Sequence, residues 1–272
     1  MVVAVHQTLW MYSARPPPLC LADAAVLSAR NKERPSSSTA ASGMLSSNQV
    51  SVIIATQLSF LRETIRSRIS SILLVTVLEY LSSRQKAELL LEPNSLSNET
   101  LVRLVFTQLN LSSLEDLGSF FDQFVTGAKE QNLTTIDPRV RGTILNLTLS
   151  ALSPKMSMFD AEAFKLWFQV YLPLILPGID SSTFESIPRN ISCVSYQAIV
   201  KGCDRVFTQL SVGQTQQVFK FIMDYFGKHY SSGRSCVEAG NDDRQWLQDN
   251  FGKFYVLASY KDFVTLKNNF NG

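Results

Sequence analysis

The sequence predicts an all-α fold, either a superhelical, armadillo-like stack of short helices or an irregular helical bundle, and three observations predict it. From Val50 onward apolar residues recur three and four positions apart, the spacing of one helix face. Ser, Asp or Pro punctuates this pattern wherever a cap or a first turn belongs. No stretch sustains the period-two alternation of a strand between turn dipeptides.

The elements follow in order. Gln57 to Leu81 has helical spacing, and its apolar run Ile72–Leu78, bounded by Arg68 and Glu79, is too short to span a bilayer and reads as a buried helix face. Ser82 and Ser83 precede Arg84–Leu91, which Pro93 ends. Ser97 is expected to cap a third helix, Glu99–Leu109. Ser112 or Ser113 opens a fourth through Val125, with Leu114, Leu117, Phe120, Phe121 and Phe124 on one stripe and Gly127 closing it. Asp137-Pro138 is a cap followed by a first-turn proline, starting a fifth helix that reaches about Leu152 before Ser153-Pro154. Asp160 begins a sixth, rich in aromatics (Phe164, Trp167, Phe168, Tyr171) up to Pro173 and Pro177. Ser192–Leu210, Gln214–Phe226, Asp242–Asn250 and Ser259–Leu266 complete the series. The expected core includes Leu117, Phe120, Phe121, Phe124, Trp167, Phe168, Val218, Phe221 and Ile222.

One internal echo favours a stack. Val105-Phe106-Thr107-Gln108-Leu109 recurs as Val206-Phe207-Thr208-Gln209-Leu210. At the same offset Leu111, Leu117, Phe120, Phe121 and Phe124 meet Val212, Val218, Phe221, Ile222 and Tyr225. Residues 1–48 stand apart: Met1–Ala14 makes a poor signal peptide and the run from Asn31 to Asn48 is polar and low in complexity, so the stretch reads as tail or linker. Two helical segments, 49–155 and 156–272, follow. The ending Asn268–Gly272 offers no hydrophobic tail for a lipid anchor and reads as mid-protein.

Composition narrows function. A chain of 272 residues with 45% apolar content can bury a sizeable core. With 25 Lys and Arg against 23 Asp and Glu, no long-range field steers it to nucleic acid. The densest basic cluster, Arg62, Arg66 and Arg68, reads as a solvated helix face. The only histidines are His6 and His229, so acid-base catalysis has little to draw on, and no metalloprotease, esterase, phosphate-loop or dinucleotide motif appears. Cys203, His229 and Cys236 lack the paired short spacing of a structural zinc site. Cys193 with His229 lacks an orienting third group for thiol chemistry. Asp242 and Asp243 precede Trp246-Leu247 and read as helix caps. No cofactor or metal is expected. The four cysteines, Cys20, Cys193, Cys203 and Cys236, fit one or two disulfides as well as free buried thiols.

Five of thirteen asparagines open an Asn-x-Ser/Thr sequon: Asn98, Asn110, Asn132, Asn146 and Asn190. Chance would give about two or three, so the excess points to the secretory pathway. Asn146 falls opposite the Val140, Ile144, Leu147, Ala151 face, where a glycan would stand in solvent.

The segment Arg139–Pro154 (RVRGTILNLTLSALSP), followed by Phe164–Gln169, Arg189–Val200 and Trp246–Phe254, resembles repeat units of large uncharacterised extracellular fish proteins. These look like distant relatives of the mesothelin, stereocilin and otoancorin group of cell-surface or matrix-associated helical superhelices. The similarity covers about residues 76–272. It implies a matched pair of Cys193 and Cys236, and it places Cys203 where a non-cysteine residue is expected. Such a link ties the start of the Ser192 helix to the joint after the Gln214 helix if those helices run out and back. The combined expectation is a non-catalytic extracellular or cell-surface module for structure or adhesion, a slice of a larger glycoprotein. Its partners are other extracellular proteins or glycans, with membrane attachment only through other parts of the protein. The rival readings are an intracellular helical scaffold with free thiols and, more weakly, a hydrolase.

Overall fold

The computed structural model describes residues 71–227, 236–237 and 242–271, which belong to one compact unit. His6, Cys20, His229, the Arg62, Arg66, Arg68 cluster and the 1–48 tail lie outside the described residues. The described chain is all-α. Its helices are α1 Ser71–Tyr80, α2 Ser83–Leu91, α3 Glu99–Thr107, α4 Leu114–Glu130 and α5 Pro138–Leu152. They continue with α6 Ala161–Leu166, α7 Cys193–Arg205, α8 Val212–Phe226, α9 Asp243–Asn250 and α10 Tyr260–Leu266. No strand occurs among the described residues.

Most helices start where a short polar side chain answers an orphan amide. Ser82 and Ser211 form capping boxes with Gln85 and Gln214, Ser113 accepts from the Asp116 amide, and Asp160 accepts from that of Ala163. The third helix departs from expectation: Asn98, not Ser97, is its cap, accepting from the Leu101 amide at 3.1 Å. Ser97 instead ends a 3₁₀ turn, Ser95–Ser97, and donates to the Asn94 carbonyl. Gly127 does not close α4, which runs to Glu130. The glycine is buried mid-helix because α2 crosses there, and a Cβ at 127 would lie 2.5 Å from Leu91 Cδ1. The expected Ser192–Leu210 helix stops at Arg205 and finishes as a 3₁₀ turn, Phe207–Gln209.

Past Leu166 the sixth helix widens into a π turn, Trp167–Tyr171, closed by the Leu172 amide on the Trp167 carbonyl at 2.9 Å. Trp167, Phe168, Tyr171 and Leu172 are all buried there. The Tyr171 hydroxyl reaches Asp122 of α4 at 2.7 Å and the Phe121 ring meets the Trp167 ring at 5.5 Å. These contacts join the chain before residue 155 to the chain after it. All nine expected core residues are buried; Leu114, placed on the same stripe, is 37% exposed because it sits in the first turn of α4, at the rim. In α1, Leu78 is fully buried and Leu74 and Val77 pack against the core. Among the described residues no helix is long and apolar enough to cross a membrane.

The order of the main helices repeats, although the second module also has helical residues 236–237 between α8 and α9 and the 3₁₀ turn after α7. A first module, α3, α4, α5, a 3₁₀ turn Ser153–Met158, then α6, is followed by a second, α7, α8, α9, a 3₁₀ turn Gly252–Leu257, then α10. Caps recur at equivalent joints: Ser113 and Ser211, Asp137 and Asp242, Asp160 and Ser259. Packing recurs too, α3 against α5 as α7 against α9. Among the described residues the main helix contacts join elements near in sequence. The tie from Tyr196 to Asn250 spans 54 residues, which a stacked array and a bundle of consecutive helices both allow.

Candidate modification sites and the disulfide-anchored core

The five sequon asparagines sit in two kinds of place. Asn98, Asn110, Asn132 and Asn190 are exposed, each in a joint or at a helix start. Asn98 caps α3 through its Oδ1 oxygen, so the Nδ2 nitrogen that would carry a sugar is not the capping atom. Nearby, Glu99, Arg103 and Thr143 form a network joining α3 to α5. Arg103 Nη2 and Thr143 Oγ1 donate to Glu99 Oε1 at 2.6 and 2.9 Å and hold that carboxyl below its usual range. Asn110 donates from Nδ2 to Asp116 at 3.0 Å and accepts from its own sequon hydroxyl, Ser112, at 2.6 Å. Glycosylation removes one of the two Nδ2 hydrogens and leaves the other to bind Asp116. Asn132 occupies the left-handed region, φ 53°, directly after α4. Asn190 stands two residues before the α7 cap Ser192, which is the serine of its own sequon.

Asn146 differs. Helical spacing places it opposite the core face of its own helix, but a neighbouring segment covers that side. Its side chain is half-buried and Nδ2 donates to Asp180 Oδ2 at 2.9 Å. Its sequon threonine, Thr148, is fully buried and donates to the Ile144 carbonyl at 2.7 Å. Burial works to raise the Asp180 carboxyl, yet hydrogen bonds from Ser182, Asn146 and Thr183 outweigh it and leave the group below its ordinary value. Sequence reasoning missed this contact because Asp180 lies on an irregular joint with no periodic signal.

Cys193 opens α7 and is bonded to Cys236, with a Cα–Cα distance of 5.3 Å. The bond sits beside an aromatic core. The rings of Tyr196 and Tyr225 stack 3.8 Å apart and nearly parallel; the Tyr196 hydroxyl donates to the Asn250 carbonyl at 2.6 Å and that of Tyr225 to the Ile191 carbonyl at 3.3 Å. The Cys236 carbonyl accepts the indole N–H of the fully buried Trp246 at 3.1 Å. Thus one half-cystine both closes the loop and fixes Trp246. Cys203 is free and buried, and burial, aided by Asp204, pushes its thiol up to about 12. At neutral pH it is an unreactive core residue. Asp242 caps α9, and Asp243 pairs with the buried Lys267 at 2.7 Å, the ammonium lying 5.6 Å from the centre of the Trp246 ring.

A shallow groove of about 490 Å³ runs between the Thr183–Ser186 turn and α8, with Phe184 stacked on Phe221 at its base and Arg189, Glu185, Lys220 and Asp224 among its lining residues. No group of metal-ligating side chains gathers among the described residues. No protein family, curated protein or solved structure matches this chain.

Proposed function

We propose that this chain is a non-catalytic, N-glycosylated extracellular module of structural or adhesive role, a stretch of a larger helical array. The observation that carries it is the distribution of the sequons. Four of the five asparagines stand exposed at helix joints or helix starts, where their side chains are open to solvent. The Cys193–Cys236 bond supports the same compartment, since disulfides persist where the medium is oxidising. So does the resemblance of Arg139–Pro154 and Trp246–Phe254 to extracellular repeats. The buried hydroxyls of Tyr196 and Tyr225 and the Cys203 thiol are occupied in packing, and the partners of such a module are other extracellular proteins or glycans.

Expression through a secretory pathway, glycosidase digestion and peptide mass spectrometry test the reading. Glycan is expected at Asn98, Asn110, Asn132 and Asn190, with lower occupancy at Asn146. A chain unmodified at all five positions would overturn the proposal in favour of an intracellular scaffold.

A further inference from the structure

The two modules share an order of main helices, but among the described residues only the first has a later helix lying on its last one. At an offset of 99 residues Phe164 corresponds to Phe263 and Tyr171 to Phe270, all buried. In the first module α7 lies on the α6 segment. There Gln169 Nε2 donates to the Ala198 carbonyl at 3.2 Å, Arg205 Nη1 donates to the Gln169 carbonyl at 2.6 Å, and Gly202 meets the Phe168 carbonyl so closely that a Cβ would collide. Positions 161, 165 and 168 share one helix face, the one that reaches this contact. Ala161 and Gln169 are half-buried there. Their counterparts in the second module are more open at two positions, Tyr260 at 62% exposed and Asn268 exposed, while Val264 is half-buried as Lys165 is, and Lys267, the counterpart of Phe168, is buried within its own module. The 3₁₀ turn leading into α10 adds Tyr255, Val256 and Leu257. Four of the eleven exposed large apolar side chains among the described residues therefore fall between 255 and 260, a concentration that scattered surface residues do not give.

We propose that this α10 face is a docking surface, and that its occupant is the first helix of a further unit of the same array, built like α7 with small residues at the Ala198 and Gly202 positions. The basis is the continuity of one interface: the same helix order presents the same face 99 residues on, and in the first module an α7-type helix covers it. Small residues let that helix approach the backbone of the segment beneath. The inference rests on the reading of the chain as a stretch of an array, and it is independent of glycosylation.

The test joins a copy of residues 174–272 after Gly272 in the full, unglycosylated chain and follows amide exchange of Tyr260–Leu266. Roughly tenfold slower exchange is expected in the extended chain. The pair Tyr260→Glu and Val264→Glu should return it to the rate of the unextended chain without altering α4. Unchanged exchange overturns the proposal, whether or not circular dichroism shows the appended helices formed. Self-association of the unextended chain that protects the same amides, and that the Glu pair abolishes in sedimentation equilibrium, overturns it in favour of a second copy. Empty sequons would sink the extracellular reading and leave this one standing; unprotected α10 amides would do the reverse.

Discussion

The first and second modules solve the same packing problem with different chemistry. In the first, α4 and α5 run 17 and 15 residues, and the core is rings on rings, with Phe120 meeting Phe106 at 5.4 Å and Phe121 at 5.3 Å. In the second, α8 and α9 run 15 and 8 residues, Tyr225 stands where the first has Phe124, and the core is pinned by a disulfide, two tyrosine hydroxyls, an indole N–H and a Lys267–Asp243 pair. Lys267 even takes the position of Phe168. A helix of about two turns has little stability of its own and buries little apolar surface. The comparison teaches that one ladder of caps and apolar stripes is held by ring-on-ring packing in both modules, to which the module with the short helix adds specific links.

The largest expected effect is at Trp246. Truncation to Ala removes a fully buried ring and leaves the Cys236 carbonyl without its donor, so Trp246→Ala should cost about 5 kcal/mol and Trp167→Ala, in the other module, about 3 kcal/mol in denaturant unfolding. Equal losses would show that the links add nothing to the ring packing that the two cores share. Next comes the disulfide: Cys193→Ser with Cys236→Ser opens a loop of 43 residues and should cost about 4 kcal/mol in the chain-entropy model. Amide exchange should then accelerate in α8 and α9 while α4 keeps its protection; equal acceleration in α4 would show that the modules open as one.

The smallest effects sharpen what the modules share. Ser113→Ala and Ser211→Ala each remove a cap at the same joint of the two copies and should cost about 1 kcal/mol each, since an alanine at 211 keeps the backbone N–H that donates to Gln214 Oε1 and loses only the Oγ bond to the Gln214 amide. A loss several times greater at one site, read by urea titration, would mean that the joints are not equivalent.

What the sequence determined by itself was local. Ser82, Asp137, Asp160, Asp242 and Ser259 cap the helices they precede because a cap bond reaches only two or three residues along the chain, whereas the helix expected from Gln214 starts earlier, at Val212, on Ser211. The stripes Leu117–Phe124 and Val218–Tyr225 are buried because helical period alone sets which side chains share a face. Tertiary structure decided the rest. Nothing near Asn146 announces that Asp180 will hold its amide, nothing near Lys267 announces burial against Trp246, and Gly127 looks like a stop until α2 crosses it. The π turn at Trp167 likewise accompanies contacts to Asp122 and Phe121 far earlier in the chain. In each case the deciding partner lies tens of residues away, beyond the reach of propensity and period, and only the packing of one helix on another brings it within bonding distance.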